Sequence, residues 1–81
     1  MSNYKQFEIK EMLGQLGIAK ANGWAKELNV VTWYGKPPKY DIREWSPDHE
    51  NMSRGITLTW DELRDLGFIV DRLLEKESVG E

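Results

Sequence analysis

Apolar and polar residues alternate along the first three quarters of this chain and then change period. Phe7, Ile9 and Leu13 alternate with Glu8, Lys10 and Met12, which predicts a strand within residues 6–19. The apolar register then moves to Leu16 and Ile18. A one-residue slip would turn every side chain to the other face, so a bulge or bend is expected near Gly14. Ala21-Asn22-Gly23 reads as a turn, and residues 24–34 as the second strand. Gly35-Lys36-Pro37-Pro38 is a break, because proline cannot donate to a central ladder. Residues 39–46 make a third strand, 47–53 a polar loop and 54–58 a short fourth strand.

At Thr59 the period becomes helical. Thr59 and Glu62 form a T-x-x-E capping box, with Asp61 also favouring the positive end of the helix. Leu63, Leu66, Val70, Leu73 and Leu74 follow at helical spacing, with Ile69 beside them, and the Leu63/Leu66/Val70/Leu73 stripe is expected in the core. Gly67 weakens the helix by up to ~1 kcal/mol relative to alanine. It would also let another element approach closely. The acidic end after Glu75 is expected as a frayed, solvated tail. The order β-β-β-β-α predicts an α+β fold, a four-stranded antiparallel sheet followed by one C-terminal helix. The whole of 1–81 reads as one domain with a core over about 6–75.

One helix covers one sheet face and leaves the other open. Leu28, Val30, Ile42, Ile56 and Leu58 are expected beneath the helix. Period two then places Trp33, Arg43 and Trp45 together on the uncovered face. Bases stack on aromatic rings at about 1–3 kcal/mol each while cations hold the phosphates. Trp33 and Trp45, with Arg43, Lys26, Lys36 and Lys39 near the backbone path, would form a single-strand groove. The alternative is that both tryptophans pack into a core or a subunit interface, where aromatics also concentrate. Duplex binding fits less well, since the only helix is acidic and offers no basic recognition face.

Composition narrows the choice. A chain of 81 residues without cysteine has a small core and no disulfide, thiolate metal site or thiol catalysis. Such domains often gain stability by oligomerising. The net charge of −3 argues at first against nucleic acid, but its distribution is uneven. Residues 1–58 hold eight Lys/Arg against seven Asp/Glu, and residues 59–81 hold three against seven. In the centre Lys20, Lys26, Lys36, Lys39 and Arg43 outnumber Glu27, Asp41 and Glu44. That balance permits a nucleic-acid partner and does not require one.

Asp48-His49-Glu50 has the residue types of acid–base chemistry, but it has no nucleophile, second histidine or cofactor motif to act with, and a solvated loop is expected. Arg43-Glu44 reads as cross-strand electrostatics. Trp60 reads as a packing residue, and Phe68, off the main stripe, as an extension of it towards a partner subunit. No P-loop, dinucleotide fingerprint or metal-ligand spacing is present, so neither an enzyme nor a cofactor is expected. The apolar runs are too short for a membrane span. Met1-Ser2-Asn3-Tyr4-Lys5 lacks the zones of a signal peptide, so a cytoplasmic, nucleoid-associated location is expected.

Several blocks carry a family resemblance: Asp41-Ile42-Arg43-Glu44-Trp45, Met52, Arg54-Gly55-Ile56-Thr57-Leu58 and the terminal helix. The chain resembles the transcriptional coactivator family built around positive cofactor four. Gly23-Trp24-Ala25-Lys26-Glu27-Leu28-Asn29 and Pro38-Lys39-Tyr40-Asp41-Ile42-Arg43 look closer still to its bacterial YdbC-like branch. The resemblance implies a curved sheet and a homodimer whose helices form part of the interface, with Leu66, Phe68, Val70 and Leu73 as interface residues. It implies largely sequence-independent binding of single-stranded DNA. By position it gives Trp33 a stacking role, Arg43 and Trp45 places in the D-I-R-E block and the aromatic pair after it, and Arg54 the basic position before Gly-Ile. The loop between Trp45 and Arg54 is shorter and less basic than the eukaryotic pattern, and no serine-rich arm is seen, so eukaryotic-type coactivation is not implied. RNA, and transcription or replication proteins, stay open as partners. A protein-interaction module using the open sheet face is the rival reading.

Overall fold

A computed structural model describes residues 6–79 of the chain. The readings made above for residues 1–5 and for the last two residues lie outside that range. Four strands, β1 (Phe7–Leu16), β2 (Ala25–Trp33), β3 (Lys39–Trp45) and β4 (Met52–Leu58), form an antiparallel meander in the order β1-β2-β3-β4. The helix α1 (Trp60–Val79) follows. The order and fold class agree with the alternation of the sequence. The slip expected near Gly14 is present as two register shifts in β1, between Ile9 and Glu11 and between Met12 and Gly14. β4 begins two residues earlier than expected, and α1 runs on through Val79, so the acidic end is helical as far as it is described.

The helix start is built as a capping box. The Thr59 backbone N–H donates to Glu62 Oε1 at 2.9 Å, and the Glu62 N–H donates to Thr59 Oγ1 at 3.2 Å. Trp60 packs its ring 6.0 Å from Tyr40, which ties the first turn to β3.

The ladder decides the faces. Cross-strand partners point the same way. Glu27 opposes Arg43, Asn29 opposes Asp41, Ala25 opposes Trp45, and Gly55 opposes Arg43 from β4. One face therefore carries Ala25, Glu27, Asn29, Val31 and Trp33 beside Lys39, Asp41, Arg43 and Trp45. The other carries Leu28, Val30, Tyr40, Ile42, Ile56 and Leu58.

Burial falls on the face opposite to the one expected. Trp45 and Val31, with 1% and 0% exposure, lie on the face that was to be left open. Ile56, expected under the helix, is 55% exposed. Two causes explain the inversion. The sheet is coiled so strongly that Phe7, which pairs with Trp33, also lies 5.2 Å from the ring of Trp45 at the far end of β3. The bulges in β1 and another between Arg43 and Trp45 supply that bend. In addition, α1 leaves the sheet after its first turn. Leu63 is half-buried, and every residue from Arg64 to Glu77 is exposed, so of the stripe expected in the core only Leu63 is partly covered and Leu66, Val70 and Leu73 are not. The concave face is thus closed by curvature, and the helix covers neither face.

Candidate nucleic-acid interface

The rim of the concave face gathers the candidate chemistry. At the end of β2 the Lys36 N–H donates to the Trp33 carbonyl at 2.9 Å, closing a two-residue turn. Its central residues, Tyr34 and Gly35, both have positive φ, 53° and 73°. That is the turn sense that suits the twist of a hairpin, and it normally takes Asn-Gly. A tyrosine there is strained, and its ring is exposed at the sheet end. Trp33, Tyr34, Lys36, Lys39, Arg43 and Thr57 then line a depression of about 380 Å³, with Pro37 completing it.

Trp33 is half-buried, and its indole N–H is buried without a hydrogen-bond partner. Its polar edge therefore faces inward and hydrocarbon faces the rim. Phe7 lies 5.9 Å away and tilted, and the Arg43 guanidinium carbon sits 4.5 Å from the ring centroid. Lys36 and Lys39 are exposed beside it.

Behind the rim the concave interior is polar and partly paired, with Asn29 Oδ1 buried without a hydrogen-bond partner. Arg43 holds Asp41 with two hydrogen bonds, Nε to Oδ1 at 2.7 Å and Nη2 to Oδ2 at 2.8 Å. Asn29 donates to Glu27 Oε1 at 2.9 Å. His49 Nε2 lies 3.0 Å from both Glu27 oxygens. The loop after β3 brings His49 there. Pro47 and Asp48 are the central residues of a turn closed by His49 N–H donating to the Ser46 carbonyl, and His49 adopts φ 60°. Its ring then lies 5.7 Å from Trp45. Ser46 Oγ and the Glu50 N–H both donate to Asp48 Oδ1, which lowers the Asp48 carboxyl below its ordinary 3.8. Among the described residues no group of three or more acidic, His or Cys side chains could hold a metal ion. Among the same described residues no helix is long and apolar enough to cross a membrane.

The structure therefore sorts the expected site residues. It brings Trp33, Lys36, Lys39 and Arg43 together. It encloses Trp45 under Phe7 and His49, so that ring offers no open surface. Lys26 is on the opposite face of β2, where with Arg54 it borders a separate depression along Ile42 and Ile56. In the Asp48-His49-Glu50 loop, Asp48 and Glu50 are exposed as expected, but His49 is half-buried against Glu27 and Trp45. Where cross-strand electrostatics were expected of Arg43-Glu44, Arg43 binds Asp41 of its own strand, and Glu44 accepts from Lys20, between β1 and β2, at 2.9 Å. Trp60 packs on Tyr40 as expected yet remains exposed. Tyr34 and Asp41 were missed. The aromatic next to a Gly-Lys-Pro turn was the available signal for Tyr34, and none marked Asp41 as buried.

Residues 20–67, more than half of the chain, match the family described as Transcriptional Coactivator p15 (PC4). The chain belongs to that family. It is also 48% identical over 63 residues to an uncharacterised protein of Treponema pallidum (strain Nichols), a match covering 74% of this chain and 73% of that protein. As a member of the PC4 family, the chain is at the coarse level a nucleic-acid-binding, coactivator-like domain. The matched segment contains the whole rim from Trp33 to Thr57.

Proposed function

We propose that this PC4-family chain binds single-stranded DNA, largely without regard to sequence, as a homodimer, and that it serves transcription, replication or repair. The observation that carries the reading is the rim itself. An indole turned hydrocarbon-outward, a tyrosine beyond it and two exposed lysines surround one base-sized depression. Aromatic faces accept any base and lysines follow the phosphates, which is the chemistry of sequence-tolerant single-strand binding. A duplex fits this rim poorly, because stacking requires bases that are out of the helix.

The homodimer rests on α1. Leu66, Phe68, Val70 and Leu73 are all exposed along a helix that its own sheet does not cover. Gly67 has open space around it, room for a close approach by a second helix. Covering this stripe with a second copy removes apolar surface from water that the isolated chain leaves exposed.

The test is a titration with labelled oligo-dT of about 20 nucleotides in low and moderate salt, following tryptophan emission. Salt-sensitive binding with quenching, at one strand per two chains, is expected. No binding at low salt overturns the reading and moves the rim and the helix to a protein-interaction role.

A further inference from the structure

Three of the five N–H groups of the Arg43 guanidinium are already engaged. Two of its N–H groups hold the Asp41 carboxylate, and Nη1 donates to the Ser53 carbonyl at 3.3 Å. Asp41 is 0% exposed, and the Arg43 side chain only 13%. A flat arginine against an indole needs room, and Gly55 provides it. A Cβ at Gly55 would strike the Ile42 carbonyl and the Arg43 Cβ, and would come within 3.0 Å of Nε. The arginine is therefore held on four sides, by Asp41, the Ser53 carbonyl, the bare Gly55 and the Trp33 ring. Its charge is matched by a buried partner, and a cation already neutralised displaces no counterion when a strand arrives.

We propose that Asp41 and Arg43 are a charge-compensated positioning pair that fixes Trp33 as a stacking surface, and that Lys36 and Lys39, not Arg43, meet the phosphates of this site. The proposal rests on the single-strand reading above and departs from the usual assignment of a site arginine to phosphate.

The salt dependence of dT20 affinity separates the roles, since each phosphate contact on a single strand contributes about 0.7 to the slope of log K against log salt. Lys36→Gln and Lys39→Gln should each flatten the slope by about 0.7 per lost contact. Arg43→Gln should weaken binding and leave the slope unchanged. Asp41→Asn should steepen it by about 0.7, because it frees the arginine's charge, an effect that a purely structural role would not produce. Flattening in Arg43→Gln, or no steepening in a folded Asp41→Asn, overturns the proposal. Should a single variant fail to fold, the charge-neutral Asp41→Asn/Arg43→Gln double variant decides. A wild-type slope supports the pair, and a flattened one makes Arg43 a phosphate contact. A ligand-free readout separates this from the function itself. With 5-fluorotryptophan incorporated, the fluorine resonance of Trp33, assigned through Trp33→Leu, should shift in the double variant. No shift overturns the positioning role. A shift in a protein that binds no oligonucleotide overturns the functional reading, and with it the phosphate assignment.

Discussion

Trp33 and Trp45 share a face, yet the structure gives them opposite environments, and replacing each with leucine separates the two. Trp45 is 1% exposed, between Phe7 and His49. An aromatic of this size buries up to about 250 Å², about 6 kcal/mol at 25 cal/mol per Å² as an upper bound. Trp→Ala changes in cores cost about 3–5 kcal/mol, and leucine, which refills part of the space, about 2–4. The indole N–H of Trp45 makes no hydrogen bond, so no polar term is added. A domain of 81 residues has a total stability of roughly 4–12 kcal/mol at 0.05–0.15 kcal/mol per residue. Trp45→Leu should therefore lower the urea midpoint by about 2–4 M for a slope near 1 kcal/mol per M, with the protein still folded in the cold.

Trp33 is half-buried at the rim, so Trp33→Leu should cost about half as much stability. Its affinity loss should be larger, about 1–3 kcal/mol if one base stacks there, or roughly five- to 150-fold. The assay is a paired one: urea denaturation followed by circular dichroism, and oligo-dT binding by anisotropy at a temperature where both variants are folded. The expected pattern crosses over, with Trp45→Leu the less stable and Trp33→Leu the weaker binder. A folded Trp45→Leu that binds as weakly as Trp33→Leu would refute the reasoning, because the buried ring would then have to leave the interior and meet the strand.

Other expectations are simpler to state. Tyr34→Asn should keep or slightly raise the melting temperature, since asparagine tolerates positive φ, and should weaken oligonucleotide binding; a clear drop in melting temperature would show that the turn relies on the tyrosine ring. Leu66→Glu with Leu73→Glu should halve the mass seen by light scattering, and a wild-type chain that is monomeric at high micromolar concentration refutes the helix interface. The depressed Asp48 carboxyl means that the unfolded chain binds the proton first as pH falls through and below 3.8. Its contribution is thus present above that value and lost on acidification, so Asp48→Asn should reduce the pH dependence of stability in this range; an unchanged acid profile would refute it.

Much of this was legible in the sequence. Alternation gave the four strands, the T-x-x-E box the start of α1, and period two the shared face of Trp33, Arg43 and Trp45. Alternation does not say which face is concave, and that depends on how far the sheet coils. The bulges at Ile9/Glu11, Met12/Gly14 and Arg43/Trp45 bend the sheet until Phe7 reaches Trp45. A ring predicted to be open became the centre of the core. For the same reason the buried Asp41 looked like an ordinary polar alternate, and Arg43 like a free cation.

A consequence for assembly follows from where burial is missing. Among the described residues the buried apolar side chains are few, Ala25, Val31 and Trp45, and they share the interior with Asn29 and Asp41. Polar groups paired in an interior fix geometry more than they add stability. The exposed stripe of α1 is apolar surface left to supply burial, as are Met12, Leu16, Ile18 and Ile56 outside the helix, and the rim lies on the sheet, away from that stripe. In the proposed dimer, helix and rim would act through different physics, one by apolar burial and the other by stacking and charge. Breaking the helix interface should then weaken binding to a 20-mer that spans two rims, through lost effective concentration. Binding to an oligomer short enough for one rim should be nearly unchanged. Equal loss for both lengths would mean that the rim itself is built only in the dimer.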